Sequence, residues 1–285
     1  MKILFITYMF PPFNAIGAVR TGKTAKLLTE FGNDVKIISC SNQSLSQNLP
    51  LEIAEQNIQY TNWINVNSPI EFVLGGKKKV ATKGYLPSSN HLPNWIQKLG
   101  YLYRHLVNFP DGQIGWYPFA MKAGNRLISK WFPDLIFASA SPFTTLLVAS
   151  ALSRKHNIPW IAELRDLWSD NHNFIGPTWR QLLERKLESR ILKSACGLVT
   201  VSEPLKETLN SKYSIPCKVV TNGFDPEDTP ISPGIPFSNG IVKIVYTGQV
   251  YSHEQNPSNL FLALQKMGND KEKVRIYFYG RHLSF

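Results

Sequence analysis

The first 40 residues read MKILFITYMFPPFNAIGAVRTGKTAKLLTEFGNDVKIISC, and their order decides the fold class. Residues 3–7 and 35–39 are largely apolar rather than alternating, which is typical of strands buried on both faces of a sheet. Between them, residues 18–31 carry apolar side chains at helical spacing and predict one helix. A buried strand, a helix and a second buried strand predict a right-handed parallel crossover, the repeating unit of α/β proteins.

The same alternation continues to residue 221. Further short runs rich in β-branched and aromatic residues predict strands at 58–63, 135–138, 160–163, 197–201 and 218–221. The segments between them predict helices at 116–131, 143–156, 178–194 and 204–212. The sequence therefore predicts an α/β fold, with a doubly wound parallel-sheet (Rossmann-like) domain over residues 1–221.

The alternation of predicted strands and helices stops near residue 222, where the sequence becomes rich in proline and glycine. Asn222-Gly223 is a turn dipeptide, and prolines and glycines recur as far as residue 240, which predicts a linker over 222–240. Residues 242–247, 256–267 and 274–279 then predict one β-α-β unit. Two strands and one helix cannot bury both faces of a sheet. We therefore expect residues 241–285 to be the truncated start of a second Rossmann-like domain.

The composition excludes several classes of protein. With 43% hydrophobic and 18% charged residues in 285, the chain is a packed globule rather than a disordered protein. Its longest uncharged apolar runs fall far below the roughly 20 residues that span a bilayer. Cys40, Cys196 and Cys217 show neither metal nor redox spacing. This is typical of a reduced cytoplasmic protein, and no metal site is predicted.

Most of the net charge of +11 lies in residues 72–133, which contain nine basic residues and one acidic residue. Aromatic and apolar residues lie beside these cations, which suits an anionic membrane surface. The membrane-facing candidates are Lys77, Lys78, Lys79, Lys83, Trp95, Lys98 and Arg104. Nucleic acid would also be attracted, but the aromatic content favours a membrane, and no nucleic-acid partner is predicted. The alternative is a solvated loop and helix whose lysines only aid solubility.

Residues 17–24 read GAVRTGKT and match the phosphate-binding P-loop pattern G-x-x-x-x-G-K-[ST]. In that motif the loop leaves a buried strand directly and opens a helix. Here a segment containing Pro11-Pro12 separates the first strand from Gly17, and residues 18–31 predict one helix. A P-loop NTPase is therefore kept only as an alternative, which loss of ATP hydrolysis in Lys23→Ala would support.

Several segments together resemble the family 4 glycosyltransferases, which have the two-Rossmann-domain GT-B architecture. The matching segments follow the family's order along essentially the whole chain: residues 1–7, Pro11-Pro12, Gly17, Arg20, residues 26–28, 31–38, 109–111 with Trp116, 133–136 with Ser139 and Ser141-Pro142, 158–160 with 163–168, 199–202, 222–225 and 246–248. Two departures stand out. Asn33-Asp34 replaces the Gly-His that members commonly have before the second strand. Many members also have a His directly after the fourth strand, near the reacting sugar, whereas residues 138–142 of this chain contain none.

The resemblance implies transfer of a sugar from a nucleotide-sugar donor, with retention at the anomeric carbon and without a cofactor. It implies that the amino-terminal domain holds the acceptor and the carboxy-terminal domain the donor. The family's paired glutamates and donor-diphosphate cations would lie beyond Phe285, so little activity is expected of this chain. The basic segment favours a lipid-linked saccharide acceptor of a cell-surface polysaccharide, and a cytoplasmic protein peripheral at the inner membrane face.

The candidate site residues follow predicted strands, because doubly wound sheets bind ligands at the carboxyl ends of their strands. Asp166 is the catalytic candidate and would orient an acceptor hydroxyl, while Arg165 would hold an acceptor phosphate. The further substrate-binding candidates are Gly17, Arg20, Ser141, Glu163 and Gly248.

Among these, Gly17 would let the backbone approach the donor, and Arg20 would meet a phosphate. The alternatives are a glycine that only permits a turn, a solvated arginine, and a purely structural salt bridge among Glu163, Arg165 and Asp166.

A second hypothesis comes from a different class of function. The chain would be a non-catalytic, truncated or split subunit that acts as a binding module. Its unfinished sheet edge would pair with a partner chain that completes the second domain.

Overall fold

The structure is a computed structural model that describes residues 1–41, 43–68, 94–172, 174, 176–228, 240–248 and 257–280, without the side chains of 94–97. The chain divides into two compact units, Met1–Gly223 and Phe224–Phe285. Most of the linker predicted at 222–240 lies outside the described residues, as do Lys77, Lys78, Lys79, Lys83 and the side chain of Trp95.

The first unit is built on a parallel sheet of seven strands in the order β3-β2-β1-β4-β5-β6-β7. The order reverses direction next to β1, which is the topology of a doubly wound sheet. The strands are β1 (Lys2–Thr7), β2 (Asp34–Cys40), β3 (Ile58–Thr61), β4 (Leu135–Ala140), β5 (Trp160–Leu164), β6 (Gly197–Thr200) and β7 (Cys217–Val219).

Helices connect these strands and cover both faces of the sheet. They are α1 (Ile16–Glu30), α2 (Asn94–Val107), α3 (Tyr117–Trp131), α4 (Thr144–His156), α5 (Thr178–Leu192) and α6 (Glu203–Lys212). Every strand and helix predicted in residues 1–221 is present within a few residues of its predicted bounds. Helix α2 is additional to the predicted elements: the alternative interpretation of residues 72–133 included a helix, but without predicted bounds.

The core explains why the strands are apolar throughout. Leu4 and Ile6 of β1 belong to a large cluster on one face of the sheet, and Ile3 and Phe5 belong to a smaller cluster on the other. Alternate residues of one strand therefore pack against helices on opposite sides, as the period of two requires. The predicted Rossmann-like α/β fold is confirmed.

The loop after β4 is fixed by a helix cap from a distant segment. The carboxylate of Asp111 accepts hydrogen bonds from the backbone N (2.8 Å) and Oγ1 (2.7 Å) of Thr144, the first residue of α4. Burial raises the pKa of Asp111, whereas the hydrogen bonds from Thr144 act to lower it. A carboxylate at a helix N-terminus satisfies unpaired N–H groups, so Asp111 positions residues 141–143, which precede α4.

The second unit, in its described part, is a β-α-β arrangement. It consists of β8 (Val242–Thr247), α7 (Ser258–Lys266) and β9 (Val274–Tyr279), and the two strands are parallel. Gly248 ends β8 with φ of 145°, a backbone conformation that favours glycine, and its N–H donates to the carbonyl of Tyr279 (2.9 Å).

We expect the three cysteines to differ sharply in reactivity with a thiol reagent. Burial raises the pKa of Cys40 to about 12 and also raises that of Cys217, whereas Cys196 is exposed. Because the thiolate is the nucleophile, only Cys196 should react quickly in the folded protein, and all three should react after unfolding. Absorbance titration with an aromatic disulfide checks this, with Cys196→Ser as control. A second fast thiol in the folded protein would contradict the buried placement.

Candidate functional site

The predicted site residues of the first unit converge at the carboxyl ends of β4 and β5. These strands are neighbours, and Ser139 of β4 lies in register with Glu163 of β5. Ser141 follows β4 directly, and Arg165 and Asp166 follow β5. The structure therefore brings these side chains to one edge of the sheet, where doubly wound folds bind ligands.

Glu163 is buried, with 2% of its surface exposed. Its Oε1 accepts hydrogen bonds from Arg20 Nη2 (2.7 Å) and Nε (3.1 Å), and its Oε2 accepts one from Ser139 Oγ. Both carboxylate oxygens are thus occupied inside the protein. Glu163 therefore holds Arg20 and Ser139 in position, and the substrate-binding role predicted for it from sequence stays a prediction.

Arg20 has no N–H group left for a phosphate. Besides Glu163, its guanidinium donates to the carbonyls of Val220 (2.9 Å) and Thr221 (3.2 Å) and to Asn222 Oδ1 (3.0 Å). An arginine has five N–H donors, and these bonds use all of them. Arg20 thereby ties α1 and the end of β5 to the segment that follows β7, and the phosphate contact predicted from sequence would require some of these bonds to break.

Arg165 is the arginine that stays available at this edge. Its Nε donates to the carbonyl of Ala140 (2.8 Å) and its Nη2 to that of Ser141 (2.9 Å). Within the described residues, its three other N–H groups have no hydrogen-bond partner. Burial lowers its pKa, and Glu163 and Asp166 act in the opposite direction, so the group stays cationic at neutral pH.

Gly17 lies against the side chain of Arg165. A Cβ at this position would lie 2.7 Å from Arg165 Nη1. Gly17 therefore leaves room for the Arg165 guanidinium beside the first turn of α1. The approach of this backbone to a donor, which the sequence suggests, stays a prediction.

Two exposed side chains flank Arg165. Ser141 and Asp166 are both exposed, and neither side chain has a hydrogen bond or ion pair with any part of the protein that the structure describes. A salt bridge joining Glu163, Arg165 and Asp166, the structural alternative considered from sequence, is absent here because Glu163 pairs with Arg20 instead. A cation, a hydroxyl and a carboxylate thus share one exposed edge.

The P-loop alternative is contradicted by the geometry. Residues 17–24 lie within α1 and form no loop between a strand and a helix. Lys23 Nζ forms an ion pair with Glu52 Oε1 at 2.7 Å. Across the described residues, no group of three or more His, Cys, Asp or Glu side chains could hold a metal ion.

Sequence reasoning missed two contributors to this edge. Ser139 and the carbonyls of Val220 and Thr221 hold the Glu163–Arg20 pair in place. Aligning the ends of β4 and β5 would have paired Ser139 with Glu163, because parallel neighbours end at the same edge. The backbone carbonyls carry no sequence signal.

The fold and this edge define a class of protein: an α/β, Rossmann-like protein of the GT-B kind. The sequence model described as Glycosyltransferase Family 4 matches residues 79–228, more than half of the chain. The chain therefore belongs to glycosyltransferase family 4. A comparison with curated proteins finds no match.

Solved structures resemble the chain in fold at low sequence identity. Arabidopsis thaliana UGT89C1 complexed with UDP-L-rhamnose has a TM-score of 0.52 and 14% identity, covering 99% of this chain and 69% of its own. The same protein complexed with quercetin gives 0.50 and 15%, with 99% and 69% coverage. The S. aureus MnaA–UDP structure gives 0.48 and 13%, with 99% and 62% coverage. The chain thus spans about two thirds of the length of these proteins.

Proposed function

We propose that the protein transfers a sugar, with retention at the anomeric carbon, from a nucleotide-sugar donor to a lipid-linked saccharide acceptor. The reaction would serve the synthesis of a cell-surface polysaccharide at the cytoplasmic face of a membrane. None of the described helices is both long and apolar enough to cross a bilayer. Family membership supports the transfer of a sugar, and the charge pattern supports the anionic, lipid-linked acceptor.

One observation carries the acceptor assignment: Arg165 presents unpaired N–H groups between the exposed side chains of Ser141 and Asp166. Guanidinium N–H groups bind phosphate oxygens strongly and with defined geometry. A carboxylate a short distance away accepts a hydrogen bond from a sugar hydroxyl and raises its nucleophilicity. In this proposal Arg165 holds the acceptor's phosphate, Asp166 orients its reacting hydroxyl and Ser141 adds a hydrogen bond.

The test is a transfer assay with UDP-, GDP- and dTDP-linked sugars and a polyprenyl-diphosphate-linked saccharide. We expect one donor to release its nucleoside diphosphate slowly, in keeping with the low activity expected from the sequence, and only when the acceptor is present, with a longer lipid-linked saccharide as product. The anomeric proton signal of that product should show the donor's configuration. Acceptor-independent release alone, or no product with any donor, would contradict the proposal.

A non-catalytic binding module is the second candidate, and it has a separate supporting observation. In the described part of residues 240–280, several apolar side chains are exposed: Val242, Val245, Phe261 and Leu262. Exposed apolar patches of this kind favour burial against further protein. A stable complex with another chain, together with no turnover of any nucleotide sugar, would support this candidate.

A further inference from the structure

Helix α2 exposes the apolar face that a surface helix normally buries. Leu99 and Leu106 are 59% and 56% exposed, and Leu102 between them is also exposed. Their spacing of three and four residues places them on one face of the helix. The polar groups are on the inner side: His105 is buried, and Tyr103 Oη donates to the carbonyl of Val66 (3.2 Å).

Helix α5 likewise exposes apolar side chains and buries polar ones. Trp179, Leu182 and Leu183 are exposed, and Leu182 reaches 51%. The two acids of the helix are buried and paired: Glu184 with Arg180 (2.7 Å), and Glu188 with Lys212 (3.1 Å). The exposed charged side chains of α5 are therefore all basic: Arg185, Lys186 and Arg190.

The two helices meet through Arg180. Its Nη1 lies 3.0 Å from His105 Nδ1, and its Nη2 donates to the carbonyls of Asn108 (2.7 Å) and Pro110 (3.0 Å). The rings of His105 and Trp179 are 6.4 Å apart. The exposed faces thus adjoin, and together they form what we call the α2–α5 surface: Lys98, Leu99, Leu102, Leu106, Trp179, Leu182, Leu183, Lys186 and Arg190.

We propose that the α2–α5 surface docks on an anionic lipid bilayer. Leucine and tryptophan side chains enter the boundary between headgroups and acyl chains, while lysine and arginine bind the lipid phosphates. The surface contains no acid, so its charge complements anionic lipid throughout. Nucleic acid is disfavoured as the occupant, because the middle of the surface consists of leucines that can neither stack on bases nor bind phosphates.

The position of this surface fits an acceptor held in the membrane. Helix α5 begins after the loop that follows β5. Asp111, next to the Asn108–Pro110 segment that Arg180 contacts, caps α4 at Thr144, three residues after Ser141. The surface is therefore connected, through α5 and through the segment that ends at Asp111, to the segments that follow β5 and β4 and that carry Arg165 and Ser141. The inference rests on the proposed function for this placement of a lipid-linked acceptor, but bilayer docking itself needs no catalysis.

The test is co-sedimentation of the chain with phosphatidylcholine vesicles and with vesicles of equal parts phosphatidylcholine and phosphatidylglycerol. We expect binding only to the anionic vesicles, weakened by salt. The variants Leu102→Ser/Leu183→Ser and Lys186→Glu/Arg190→Glu should each bind about tenfold more weakly, since both apolar burial and charge contribute. Leu27→Ser/Lys155→Glu, which changes exposed residues of α1 and α4, should bind like the unchanged protein.

Several outcomes would overturn the inference. They are no binding to anionic vesicles, equal binding to neutral ones, or full binding by both surface variants, which would assign docking to the lysines at 77–83. Far-ultraviolet circular dichroism and intrinsic fluorescence verify that each variant is folded. Normal vesicle binding without sugar transfer would contradict only the proposed function, whereas sugar transfer without vesicle binding would contradict only this inference.

Discussion

Replacing Glu163 by alanine should lower the free energy of unfolding of the first unit by about 3–5 kcal/mol, because it leaves the largely buried charge of Arg20 without its carboxylate partner. The Arg20 side chain is 13% exposed and would lose its carboxylate partner, and Ser139 Oγ would lose its acceptor. Glu163→Gln keeps the volume and one acceptor oxygen, so its loss should be smaller. All seven tryptophans lie in residues 63–179, and fluorescence-monitored urea unfolding therefore reports on this unit.

A double-mutant cycle separates the ion pair from ordinary loss of packing. Arg20→Ala should also be strongly destabilising, and Arg20→Ala/Glu163→Ala should lose less than the sum of the two single variants, because neither partner is left charged and alone. Lys206→Ala removes an exposed ion pair with Glu203 and serves as the control, with no change expected. Strict additivity of the two single losses would contradict coupling through this pair.

The fold was predictable because one physical requirement repeats along the chain. Each buried strand must be apolar on both faces, and each crossover must contain a helix, so residues 1–221 carry the same signal many times. Helix α2 was not predictable in the same way. Its leucines at 99, 102 and 106 point to a buried face by their spacing, whereas the structure places that face at the surface.

The candidate site was predictable in location but only partly in role. Strand ends in a parallel sheet identified Glu163, Arg165 and Asp166 as neighbours, since the edge at which such strands end is a matter of topology. The roles of Arg20 and Arg165 depend on which N–H groups are already bonded. Those bonds run to the carbonyls of Ala140 and Val220, far away in sequence, and no side-chain pattern records them.

Replacing Arg165 by alanine should weaken binding of inorganic pyrophosphate, a stand-in for the acceptor's diphosphate, by about tenfold to a hundredfold. In the transfer assay, kcat/KM should fall by about a hundredfold to a thousandfold, as expected when a preorganised donor is removed. Arg165→Lys should not restore binding, because a single ammonium cannot contact both the carbonyls of Ala140 and Ser141 and a phosphate. Titration calorimetry measures the binding.

The pyrophosphate-binding measurement also tests whether Gly17 acts through Arg165. A Cβ placed 2.7 Å from Arg165 Nη1 must displace a guanidinium that two backbone carbonyls hold in position. Gly17→Ala should therefore weaken pyrophosphate binding by itself, yet have no further effect in the Arg165→Ala background. Arg126→Ala, an exposed arginine of α3, is the control for general charge. If Gly17→Ala weakens binding equally in both backgrounds, Gly17 acts on the ligand directly, which would support the role suggested by the sequence.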